Sequence, residues 1–134
     1  MNNFPEEAPR RYVIVYSDRA SADLDSLNLF HNGRDHVYAD RWNGAFHQAV
    51  NDLTGFPGPF SHARDEDATG HYSREVRRLL YYGPTRKRSG TPVRILFTIL
   101  PPAPDEPPET AEAVIFLLRL LRGGQTLVAE DDPA

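Results

Sequence analysis

Three apolar runs decide the reading of this chain: Val76-Arg77-Arg78-Leu79-Leu80-Tyr81-Tyr82, then Val93-Arg94-Ile95-Leu96-Phe97-Thr98-Ile99, then Val114-Ile115-Phe116-Leu117-Leu118-Arg119-Leu120-Leu121. Each is rich in aliphatic and aromatic residues and bounded by turn formers, so together they read as a three-stranded meander. In the middle run Val93, Ile95, Phe97 and Ile99 share one face by the two-residue period of a strand, while Arg94, Leu96 and Thr98 share the other. An arginine on a strand that otherwise belongs to a core must point at something. The expectation is a concave cationic surface that meets a nucleic acid or an acidic partner.

The connection Pro101-Pro102-Ala103-Pro104-Asp105-Glu106-Pro107-Pro108 cannot sit in a ladder, because proline has no N–H to donate, so it is an extended link into the third run. On the N-terminal side, Arg11-Tyr12-Val13-Ile14-Val15-Tyr16 reads as a buried strand. Ser17 or Asp18 caps a first helix carrying Ala20, Leu24 and Leu27 at helical spacing, and Asn32-Gly33 breaks it. Asp35 starts a second helix with Ala39, Trp42, Phe46, Ala49 and Leu53 on one seam, ended by Gly55-Phe56-Pro57-Gly58-Pro59. Gly44 inside it costs about 1 kcal/mol against alanine, which packing must offset. Residues 56–73 read as a loop by composition. The layout is β-α-α-β-β-β, an α+β domain with the helical hairpin packed on one face of a small, mainly antiparallel sheet.

The 134 residues are enough for one core and not two. Residues 1–9 read as a disordered tail, 10–128 as the single domain, and 129–134 as an acidic tail. With no cysteine there is no disulfide or thiolate chemistry. The start has no basic-then-apolar signal pattern, and the longest apolar run, Val114 to Leu118, is too short to span a bilayer, so a soluble cytoplasmic protein is expected. The net charge of −4 conceals segregation: between His71 and Leu100, Arg74, Arg77, Arg78, Arg86, Lys87, Arg88 and Arg94 stand against Glu75 alone. Such segregation speaks of partners rather than of fold.

In its element order, and in Tyr12-Val13-Ile14-Val15, Ala22-Asp23-Leu24, Ala39-Asp40-Arg41-Trp42, Phe56-Pro57, Val76-Arg77-Arg78-Leu79, Val93 to Ile99 and Arg122-Gly123-Gly124-Gln125, the chain resembles the RelE/ParE superfamily. These are the toxins of bacterial type II toxin–antitoxin pairs, also called plasmid-stabilisation proteins. The resemblance covers about residues 11 to 125 and rests on the order of individually weak motifs. It implies a growth-inhibiting toxin neutralised by a cognate antitoxin, which wraps an extended or helical segment over the cationic sheet and the helices. RelE-like members cut mRNA in the ribosome, which requires a base, cations for the phosphorane charge and a proton donor. ParE-like members inhibit DNA gyrase by binding it, which requires a surface and no catalytic group.

Under the RNA-cleaving reading the candidate catalytic residues are Arg94, Arg77, Arg78 and Arg122, with Arg94 stabilising the scissile phosphate. The structural alternative for Arg94 is that it faces solvent or pairs with an acid. Arg77 and Arg78 point to opposite strand faces, so only one of them shares the face of Arg94. Arg86, Lys87, Arg88 and Arg119 are candidates for binding phosphate or an acidic partner; a solvated turn is the bland reading of the first three. Tyr81 and Tyr82 offer base stacking or, more ordinarily, sheet packing. The five histidines have no metal-ligand spacing, so neither metal nor cofactor is expected. Arg122 stands where the family often has histidine and cannot act as a base near neutral pH. The balance therefore leans to ParE-like inhibition by binding, with the exposed side of the hairpin as the gyrase-contacting or homodimerising surface. The alternatives are the ribosome-dependent mRNA endonuclease and a degenerate, non-toxic member.

Overall fold

The computed structural model describes residues 11–84, 90–123, 125 and 127. The tail readings for 1–9 and 129–134 and the candidates Arg86, Lys87 and Arg88 lie outside the described residues. Strand β1 (Arg11–Tyr16) leads into helices α1 (Asp18–Asn32) and α2 (His36–Asn51), then α3 (Glu66–Tyr72), β2 (Arg77–Tyr81), β3 (Val93–Leu100) and β4 (Glu112–Leu121). The sheet order is β1-β4-β3-β2, with β1 parallel to β4 and both other pairings antiparallel. Among the described residues this is a mixed α+β architecture of three α-helices and a four-stranded sheet.

The helix starts follow from side-chain caps. The Ser17 hydroxyl accepts the Ala20 N–H at 3.0 Å and donates to the Leu118 carbonyl at 3.0 Å, so one residue begins α1 and ties it to the edge of β4. Asp35 accepts from the N–H groups of Val37 and Tyr38 at 2.9 and 3.1 Å to begin α2. The hairpin lays Leu27, Trp42, Phe46, Val50 and Leu53 on Ile95, Phe97, Ile115, Leu117 and Leu120. Trp42 stacks on Phe46 at 5.5 Å between centroids and meets Tyr81 edge-on at 5.3 Å. The Tyr81 hydroxyl donates to the Trp42 carbonyl at 2.7 Å, which makes Tyr81 a core residue rather than a stacking platform.

Three expectations are corrected. β1 forms the sheet edge and is half-exposed rather than buried, with Val15 among the exposed apolar residues. Gly44 has no neighbour within 4 Å of where a Cβ would stand, so packing does not offset its cost. The stretch read as a loop contains α3, which covers the second face of the sheet. Ala68 and Tyr72 of this helix pack with Val76, Leu96, Leu118 and Leu121 in a second core. Among the described residues, this second core occupies the face on which a bare concave surface was expected.

β4 carries an irregularity that matters for the site. Leu96 pairs with Arg119 but Phe97 pairs with Leu117, so Leu118 has no residue opposite it. The bulge lets Leu118 and Leu121 serve the second core while Leu117 and Leu120 serve the first.

Candidate functional site

The pairing of Leu80 with Arg94 and of Arg78 with Leu96 puts Arg94 and Arg78 on one sheet face as diagonal neighbours. That is the face α3 covers, and α3 meets them with acid. Asp65 caps the helix, accepting the Ala68 N–H at 2.9 Å. Its other oxygen lies 3.0 Å from Arg94 Nε and 3.9 Å from Arg78 Nη1. Asp67 lies 3.6 Å from Arg94 Nη2. Arg94 Nε and Nη2 are buried and make these ion-pair contacts without a well-angled hydrogen bond. Arg94 therefore pairs with acids, and the acidic run Asp65-Glu66-Asp67 caps a helix and meets arginines.

Arg77 belongs to the opposite face. It donates to the carbonyls of Phe60 and His62 at 3.2 and 2.6 Å, pairs with Glu75 at 3.2 Å, and its guanidinium lies 5.4 Å from the Phe60 ring centroid. These contacts pin the 58–62 turn to the end of β2. Burial, with the Arg77 charge second, lowers the pKa of His62.

Beyond the end of β1, the outer edge of β4 needs another partner, and Asp23 of α1 supplies it. Its Oδ2 accepts the Leu120 N–H at 2.8 Å, and the carboxylate takes Arg119 in a fork, Nε at 2.7 Å and Nη2 at 3.1 Å. Arg119 is buried, so its assignment to an external phosphate or acidic partner gives way to a structural one. An interior pair this well formed serves to fix α1 against β4.

Arg122 lies past the end of β4 and joins a group that the sequence did not suggest. Its guanidinium carbon is 5.0 Å from the centroid of Phe30, and that of Arg34 is 5.4 Å from the same centroid. Among the described residues neither cation has a carboxylate within ion-pair distance. Beside them His31 contacts the rings of Phe30, Tyr38 and Trp42 at 5.2, 5.4 and 4.7 Å. Burial first, then Arg34 and Arg122, lower its pKa, so the ring is neutral at pH 7. Next to this group a cleft of about 300 Å³ opens between α1 and the end of β4, lined by Ser26, Leu27, Phe30, Leu120, Arg122 and Gln125. Asp23 also lines it. Arg34 lies beyond the end of α1 and Arg122 past the end of β4, so no helical or strand period in the sequence announces either approach to Phe30.

The described surface has one further concentration. Leu29, Phe30, Val37 and Tyr38, around the α1–α2 turn, are four of the seven exposed large apolar residues, with Leu29 at 74% and Val37 at 70%. No helix of the described residues is long and apolar enough to cross a membrane.

The candidate cations thus fall into three separate places: Arg94 with Arg78 under α3, Arg77 at the 58–62 turn, and Arg119 and Arg122 near α1. Comparison of the chain with protein-family models, with curated proteins and with solved structures gave no match.

Proposed function

We propose that the protein is the toxin of a type II toxin–antitoxin pair and that it acts in the ParE manner, inhibiting DNA gyrase by binding rather than cutting RNA. The observation that carries the choice of binding over chemistry is the state of the arginines. Arg94 and Arg78 face Asp65, Arg77 holds backbone carbonyls, and Arg119 is forked onto Asp23. Phosphoryl-transfer chemistry needs cations aimed together at one developing charge, and these four are divided among three internal places, the one pair that converges already meeting Asp65. The apolar cluster at the α1–α2 turn supports a protein partner, since exposed patches of this kind mark interaction surfaces. The element order, with the N-terminal strand beside the last strand and the hairpin on one sheet face, supports the family reading.

Controlled expression in a bacterial host tests this, reading growth, DNA supercoiling and mRNA integrity together. The expected outcome is growth arrest with relaxed DNA and intact mRNA, relieved by co-expression of the antitoxin. Codon-phased mRNA cuts abolished by Arg94→Ala would replace it with the RNA-cleaving reading. Unimpaired growth with soluble protein would mean a member that has lost toxicity.

A further inference from the structure

The group around Phe30 brings two arginines from different elements onto one ring, on a chain of net charge −4. Two guanidiniums that both approach one ring centroid are within about 10 Å of each other, no farther than a Debye length at 0.1 M salt, so each feels the other's charge. Among the described residues no carboxylate neutralises either one. Arg34, just past the C-terminal end of α1, has a local reason to be there, because a cation complements the helix dipole. Arg122 has none: it comes from β4 and reaches the same ring. Arg94 and Arg119 have acids against them and Arg77 holds carbonyls, whereas among the described residues no acid stands against this pair.

What surrounds the pair narrows the class of anion. Guanidinium forks match phosphate oxygens, and their approach to Phe30 orients them. Phe30 and Tyr38 are each partly exposed and both contact the ring of His31, forming an aromatic surface next to the cations. The adjoining cleft of about 300 Å³ has an apolar floor, Leu27 and Leu120, and polar rims, Ser26 and Gln125. A cleft of that size is within the range of small-ligand sites. Asp23, the one carboxylate lining it among the described residues, is already held by Arg119 and the Leu120 N–H, which reduces its opposition to an incoming anion.

We propose that Arg34, Arg122, Phe30 and the cleft between α1 and the end of β4 form a nucleotide-binding site, with the arginines on the phosphate and the base against the aromatic surface or in the cleft. The ligand is a nucleoside phosphate, taken either as a free nucleotide or as a unit of a single-stranded nucleic acid. The site lies apart from the arginines under α3; it shares Phe30 and Tyr38 with the apolar cluster at the α1–α2 turn, and its test is read without gyrase. The neutral imidazole of His31 reports on occupancy: a bound phosphate offsets the charges of Arg34 and Arg122, so its pKa rises.

The test is a proton NMR titration of the full chain, with the His31 signal assigned through His31→Gln. It is repeated with 5′-GMP, an eight-residue oligouridylate, tripolyphosphate and hexaglutamate. The expected result is a raised His31 pKa and saturable binding of a nucleotide probe. Arg34→Gln and Arg122→Gln, both at exposed positions, each weaken that binding roughly tenfold. Phe30→Leu, which keeps an apolar side chain and removes the ring, lowers nucleotide affinity toward that of tripolyphosphate. Tighter binding of the oligouridylate than of GMP assigns the site to nucleic acid; equal binding assigns it to the free nucleotide. Three results overturn the proposal: no probe shifts His31, tripolyphosphate binds as well as either nucleotide probe, or hexaglutamate binds best. The last would make the surface a protein contact.

Discussion

Asp65 is the residue on which the second face of the sheet depends. One carboxylate oxygen begins α3 and the other meets Arg94, while the residue is only 3% exposed. Replacing it by alanine removes the cap and leaves Arg94 beside an apolar methyl group, so Asp65→Ala costs about 2–4 kcal/mol of stability. Asp65→Asn keeps an oxygen for the Ala68 N–H and costs less. Urea denaturation of the two variants checks this, and equal losses would show that the cap contributes nothing.

The histidines give a pH dependence at the same scale. His31 and His62 both have pKa values lowered from the ordinary 6.5, chiefly by burial. Below pH 6.5 the unfolded chain therefore takes up protons more readily than the folded protein. By linkage, their contribution is fully present above that pH and is lost as pH falls through and below it. Urea midpoints measured at pH 7.5 and 5.5 should show the drop, and the double variant His31→Gln/His62→Gln should show a smaller one.

At the scale of elements, α2 carries a glycine that nothing requires. Gly44 is exposed, has helical backbone and has open space where a Cβ would be. Gly44→Ala is expected to stabilise the protein by about 0.5–1 kcal/mol. Thermal melting should then rise by roughly 2–4 °C for each kcal/mol gained. A fall would mean that the helix surface is covered by something a methyl group disturbs.

The long elements were readable from periodicity because each is longer than its ambiguity. β3 alternates, α2 repeats Ala39, Trp42 and Phe46 at three and four, and Ser17 and Asp35 announce their helices. α3 escaped because it is seven residues long, contains Gly70, and buries only Ala68 and Tyr72. Its signal was present in the cap Asp65, the acids Glu66 and Asp67 in the first turn and His71 in the last. Composition alone hid it among turn formers. The site followed the same rule. That Arg94 needs a destination was evident from the strand pattern, and so was its sharing a face with one of Arg77 and Arg78. The identity of the partners was not, because Asp65 is far away in sequence and Asp23 is 96 residues from Arg119. Ion pairs closed by tertiary structure leave no local pattern.

For the whole molecule, part of the segregated charge of the sequence is met within the fold. Among the described residues, Arg77, Arg78 and Arg94 of β2 and β3 are met by Asp65, Asp67, Glu75 and backbone carbonyls. Among the described residues, exposed apolar side chains at the α1–α2 turn adjoin Arg34 and Arg122. On the proposed reading, the protein acts by occupying a partner's surface, and its potency is insensitive to the arginines under α3 so long as the fold holds. The most direct test is the supercoiling activity of purified gyrase titrated with the purified protein and with a folded Arg94→Gln variant. The account predicts stoichiometric loss of supercoiling by both. Unimpaired supercoiling, with cleavage of ribosome-bound mRNA by the parent chain and not by Arg94→Gln, would contradict it.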